Sequence, residues 1–199
     1  VADVTDEVAL RGAATSAARD RGPIEILVNC AGSVESAPFV RSSPDLFRRM
    51  LDVHLLGAVH AAQALLPGML ERRSGRIVNV ASTASLQGYR SISAYCAAKH
   101  ALLGLTRALA LEVARKGVTV NAVCPGYTET AMLRDSLEST AARTGRSADE
   151  QLALLLEGKP LGRLVRPEEV AAAVLWLCGP GAAAVNGQAI AIDGGETAG

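Results

Sequence analysis

Residues 75–112 read GRIVNVASTASLQGYRSISAYCAAKHALLGLTRALALE. The run from Arg76 to Ala81 is largely apolar and β-branched with no room for a turn, which predicts a strand buried on both faces. Ser82 stands where that strand ends. A loop carrying Gly88 follows, and an apolar helix begins near Ser93. Tyr95 and Lys99 fall at i and i+4 on that helix, so they share one face and their side chains can meet. A hydroxyl, a phenol and an ammonium thereby converge at the carboxyl end of a strand, the place where open parallel sheets bind ligands.

Outward from this unit the pattern repeats. Upstream, IEILVNCAG (24–32) reads as a buried strand running into a small-residue turn; downstream, VTVNAVCPG (118–126) and GQAIAIDGG (187–195) read the same way. VADVTD at the start looks like a strand end running into a helix, with Thr5 or Asp6 as its cap. Helices are predicted over 6–21, ended by Gly22-Pro23; over 44–73 as one long apolar stretch with Ser42 or Ser43 capping and Pro44 first; and from Ser93 to about Lys116-Gly117. The more polar 129–160 predicts one or two short helices, and Pro167 opens a last helix ending at Leu177-Cys178. Apolar strands alternating with helices predict an α/β chain, a doubly wound parallel sheet covered on both faces in three layers, and one domain over 1–199.

The 199 residues are 49% hydrophobic, enough for a substantial core, and only 3% aromatic, so that core is built of Ala, Val, Leu and Ile. Lys+Arg and Asp+Glu number 20 each, and the basic residues are scattered, which gives no footprint for nucleic acid or an anionic membrane. No signal peptide or membrane-length apolar run is read. Cys30, Cys96, Cys124 and Cys178 form no C-x-x-C pair, so buried free thiols in a reducing cytoplasm are expected. His54, His60 and His100 have no metal-ligand spacing, and neither H-E-x-x-H nor G-x-S-x-G occurs.

The ordered set NCAG (29–32), IVNVAS (77–82), Y-x-x-x-K (95–99), PGYTET (125–130) and DGG (193–195) resembles the short-chain dehydrogenase/reductase family over essentially the whole chain. The resemblance implies a Rossmann-like fold, a nicotinamide cofactor (NAD or NADP) and a small-molecule carbonyl or alcohol substrate. GRIVNVAST, AVCPGYTET and GPGAAAV look most like reductases of 3-oxoacyl thioesters and polyketide ketones. Two departures stand out. The family's glycine-rich phosphate turn has no counterpart, so the chain is expected to start after a first β-α-β piece on the order of 50 residues. His54 stands in DVHLLG where the family usually has Asn, either as a packed replacement or with a gained catalytic role.

By the same resemblance Tyr95 is the general acid/base, Lys99 stabilises its phenolate and meets the nicotinamide ribose, and Ser82 orients the substrate carbonyl. Asp3 and Val4 match the pair at the adenine ring. Asn29, Ala31 and Gly32 match the turn beside the adenosine ribose and pyrophosphate. Pro125, Gly126, Thr128 and Thr130 match the turn under the nicotinamide, and Gln87 and Tyr127 are candidates for the substrate pocket. No metal is implied. The apolar helices 44–73 and 93–116 imply a homodimer or homotetramer. The rival expectation is a non-catalytic fragment or binding protein that keeps the fold.

Overall fold

The computed structural model describes residues 1–198. Four strands form one parallel sheet in the order β1 (Ile26–Asn29), β2 (Gly75–Val80), β3 (Val118–Pro125), β4 (Ala189–Ile192). The helices are α1 (Glu7–Arg21), α2 (Pro44–Leu51), α3 (Gly57–Arg72), α4 (Ser93–Val113), α5 (Ala131–Thr144), α6 (Ala148–Leu156) and α7 (Pro167–Cys178). Alternation along the two central strands sends side chains to opposite layers. Ile77, Val118 and Val120 pack with Met69, Ala110 and Val113 of α3 and α4, while Val78 and Val123 pack with Leu177 of α7. Helices therefore cover both faces, as three layers require.

Asparagine side chains stand in for missing ladder bonds around β3. Asn121 donates to the Val185 carbonyl at 2.8 Å and accepts from the Gln188 amide at 3.0 Å. Asn186 accepts from the Val120 amide and donates to the Ala110 carbonyl, tying the loop before β4 to α4. Gly117 makes the turn into β3 at φ +75°, where a Cβ would lie 1.9 Å from the Arg73 carbonyl oxygen.

Several expectations are corrected. VADV is not a strand: Asp3 Oδ1 accepts from the Thr5 amide and hydroxyl at 2.9 and 2.8 Å, which closes a turn there instead. The stretch 44–73 is not one regular helix, because a π-helical turn, Asp52–Leu56, separates α2 from α3. The last strand stops at Ile192, since Gly194 and Gly195 take positive φ. Of the cysteines only Cys124 is buried; Cys30 is exposed at the end of β1, the edge strand, whose Ile26 and Val28 are also exposed. Pro44–Arg72 is long and apolar enough to cross a membrane by length and composition alone, contrary to the sequence reading. Here Leu65, Leu66, Met69 and Leu70 of this stretch pack against the sheet.

Candidate active site

β2 ends at Val80, and Ser82 then caps a short 3-10 turn, Thr83–Ser85, its Oγ accepting from the Ala84 amide at 3.1 Å. The first turns of α4 bring Tyr95 and Lys99 to the same place. Lys99 is 4% exposed; its Nζ donates to the Val80 carbonyl at 2.8 Å and lies 5.6 Å from the Tyr95 ring centroid. Burial pulls the Lys99 ammonium down to about 8. Burial also pushes the Tyr95 phenol above its ordinary value, and Ser82 is the one group that opposes the rise. Lys99 turns toward the strand carbonyl, and desolvation of the phenolate dominates.

His54 sits in the π-helical turn, 3% exposed, its ring edge-on to Tyr95 with centroids 5.2 Å apart. Its Nε2 lies 2.7 Å from the Ser33 carbonyl oxygen, which selects the Nε2–H tautomer, and Nδ1 is buried without a partner. Burial first, and the Lys99 charge second, hold the imidazole down at about 4, so it is neutral near pH 7. A Cβ on Gly32 would lie 2.7 Å from His54 Cε1; the glycine is what lets the ring reach the 31–33 turn.

The other predicted residues fall into three groups. Val4, Asn29, Ala31 and His54 line a cleft of about 160 Å³, with exposed Gly32 beside it. Val4 also packs on Gly57. Asp3 is exposed and occupied with Thr5. The Asn29 side chain is committed inward: it donates to Asn79 Oδ1, and Asn79 donates to Thr106 Oγ1, each at 2.8 Å. Past β3, Gly126 N donates to the Ile192 carbonyl and Thr128 Oγ1 to the Gly126 carbonyl. Thr130 is used as the N-cap of α5, accepting from the Leu133 amide. A larger open hollow along α6, about 610 Å³, is lined by none of these residues.

Gln87 and Tyr127 belong to a cluster that sequence reasoning missed in part. Tyr89, Lys159 and Glu196 complete it. The only signal in the sequence is that Glu196 directly follows the DGG motif; Tyr89 and Lys159 lie far from it along the chain and share no motif with it. Among the described residues no His, Cys, Asp or Glu cluster could hold a metal ion.

Comparisons with known proteins identify the family. A family model described as enoyl-(acyl carrier protein) reductase matches residues 1–197. An inactive 2-(S)-hydroxypropyl-CoM dehydrogenase of Xanthobacter autotrophicus is 43% identical over 199 residues, 99% of this chain and 84% of that protein. A 3-oxoacyl-[acyl-carrier-protein] reductase of Vibrio harveyi is 35% identical, covering 97% of this chain and 75% of that one. The crystal structure of a single-substitution variant of actinorhodin polyketide ketoreductase with NADPH superposes with a TM-score of 0.94 at 38% identity, over 98% of this chain and 76% of that one. Sequence motifs, parallel sheet and these likenesses agree: the chain belongs to the short-chain dehydrogenase/reductase family of NAD(P)-dependent oxidoreductases.

Proposed function

We propose that the protein reduces ketones to secondary alcohols with NADP or NAD, its substrates being 3-oxoacyl thioesters or polyketide ketones. The observation that carries this reading is the meeting of Ser82, Tyr95 and Lys99 at the end of β2. The cleft along Val4, Asn29 and Ala31, the bare backbone at Gly32 and the buried ammonium of Lys99 fit the adenosine and nicotinamide ends of a dinucleotide. When bound, the cofactor supplies the hydride.

Each side chain then has a task. Tyr95, kept protonated by its burial, gives its proton to the carbonyl oxygen as that oxygen gains charge. Ser82 donates a hydrogen bond to the same oxygen and holds the carbonyl in line. Lys99 steadies the phenolate left behind and meets the nicotinamide ribose hydroxyls. Neutral His54 offers Nδ1 as a buried acceptor beside Tyr95. Asp3, Val4, Asn29, Ala31 and Gly32 serve the adenosine side; Pro125, Gly126, Thr128 and Thr130 serve the nicotinamide side; Gln87 and Tyr127 face the substrate. The working form is a cytoplasmic homodimer or homotetramer.

The test is oxidation of NADPH or NADH by an acetoacetyl thioester, followed by loss of reduced-nicotinamide absorbance. Turnover that requires Tyr95 supports the proposal. The 43% identity to a relative named as inactive favours one second reading, a dinucleotide-binding protein without turnover. Cofactor binding with no oxidation of it by any 3-oxo compound would support that reading instead.

A further inference from the structure

Side chains from three separate parts of the chain meet beside Tyr127. Glu196 has a side chain only 7% exposed, and a carboxylate that deep is costly unless donors surround it. Three converge on its Oε1: the Tyr89 hydroxyl at 2.5 Å, Gln87 Nε2 at 3.4 Å, and the ammonium of Lys159, which forms an ion pair with it. The Lys159 Nζ also stands 5.2 Å from the Tyr127 ring centroid and 5.7 Å from that of Tyr89, so two aromatic faces take up the cation. The turn that presents Glu196 is tied down by Asp193, whose carboxylate accepts from the amides of Gly195 and Thr197 and from the Thr197 hydroxyl.

This cluster is continuous with the reaction centre. The Tyr89 and Thr83 hydroxyls lie 2.8 Å apart, and Thr83 directly follows Ser82. Tyr89 and Tyr127 meet edge to face at 6.2 Å. In the ketoreductase reading, a substrate held by Ser82 and Tyr95 extends along this wall. In this wall the Lys159 cation and the Glu196 anion are paired with each other and the Asp193 carboxylate is taken up by its own turn, so the wall presents polar atoms and aromatic faces but no free cation.

We propose that the Lys159–Glu196 pair sets the charge preference of the substrate site, making it accept uncharged carbonyl compounds and discriminate against those that carry a carboxylate near the ketone. The inference rests on the ketoreductase reading above. A 3-oxo acid brings its anion two carbons from the reacting carbonyl. To be bound it must either break the pair by drawing Lys159 away, or lie beside the Glu196 carboxylate. A thioester or ester of the same acid makes neither demand.

The test compares kcat/KM for acetoacetate with that for ethyl acetoacetate, in the parent, Glu196→Gln and Lys159→Met enzymes. Glu196→Gln keeps the side-chain shape and frees the Lys159 cation. It raises the acetoacetate-to-ester ratio by about tenfold, through KM more than kcat. Lys159→Met leaves the carboxylate uncancelled and lowers the ratio. Ratios within about twofold of the parent in either variant, or a shift of both in one direction, overturn the proposal. If only one variant folds, its direction alone decides. A parent that turns over neither compound refutes the ketoreductase reading and this inference with it, whereas a parent active on the ester with unmoved ratios refutes this inference alone.

Discussion

His54 shows how one residue can tie the 31–33 turn to the first turn of α4. Its ring touches the Ser33 carbonyl on one side and Tyr95 on the other, and only a glycine at position 32 leaves room for it. Held neutral down to about 4 against an ordinary 6.5, it couples stability to pH. Between those values the unfolded chain binds more protons, so stability is fully present above 6.5 and is lost as pH falls through 4. The loss amounts to at most about 3 kcal/mol. Denaturant unfolding at pH 7.5 and 4.5 is expected to show a smaller difference in His54→Asn than in the parent; equal differences would rule the coupling out. In the proposed mechanism Lys99, lowered by burial to about 8, sets the alkaline limit of ketone reduction. Above it the ammonium that steadies the Tyr95 phenolate is lost, so a pH profile is expected to fall between 8 and 9 rather than near 10. The positions of Ser82, Tyr95 and Lys99 were legible because each follows from a strand end or an i, i+4 spacing. The raised state of Tyr95 was not, because spacing does not show how completely a phenol is desolvated.

At the level of elements, strands and helices were legible wherever the hydrophobic period was unambiguous. The π-helical turn at Asp52–Leu56 was not: 44–73 is apolar on most of its surface, so adding one residue to a turn leaves no visible break in period. The turn at VADV was misread as a strand end for a related reason, since an extended segment and a strand share a residue pattern until a neighbour supplies hydrogen bonds. Two substitutions test the account of the β3 surroundings. Gly117→Ala places a Cβ against the Arg73 carbonyl at positive φ, and is expected to cost at least about 2 kcal/mol, read as a lower Tm. Asn121→Ala strands the Val185 carbonyl and the Gln188 amide, for about 1–3 kcal/mol. A change under about 0.5 kcal/mol for either would mean the surrounding backbone yields freely.

Across the whole molecule, the sheet order follows chain order, and the site gathers where β2 and β3 end. The Lys159–Glu196 cluster was invisible before folding because the two residues lie 37 positions apart with no motif between them. Much apolar helix surface stays uncovered: only 33% of the most apolar window in Pro44–Arg72 is buried, and Leu111, Leu175 and Trp176 are exposed. Such patches are characteristic of interaction surfaces. A dimer or tetramer is the expected state in light scattering at micromolar concentration, and a monodisperse monomer would contradict it. The central claim is that this chain holds a proton donor against a bound ketone, and Tyr95→Phe tests it most directly, since it keeps the ring and its packing on His54 while removing the proton. Measured side by side, the Kd for the reduced cofactor by fluorescence is expected to stay within about threefold of the parent, while kcat/KM for a ketone falls by at least about a hundredfold. Turnover within about tenfold of the parent, with cofactor binding intact, would show that Tyr95 is not the proton donor.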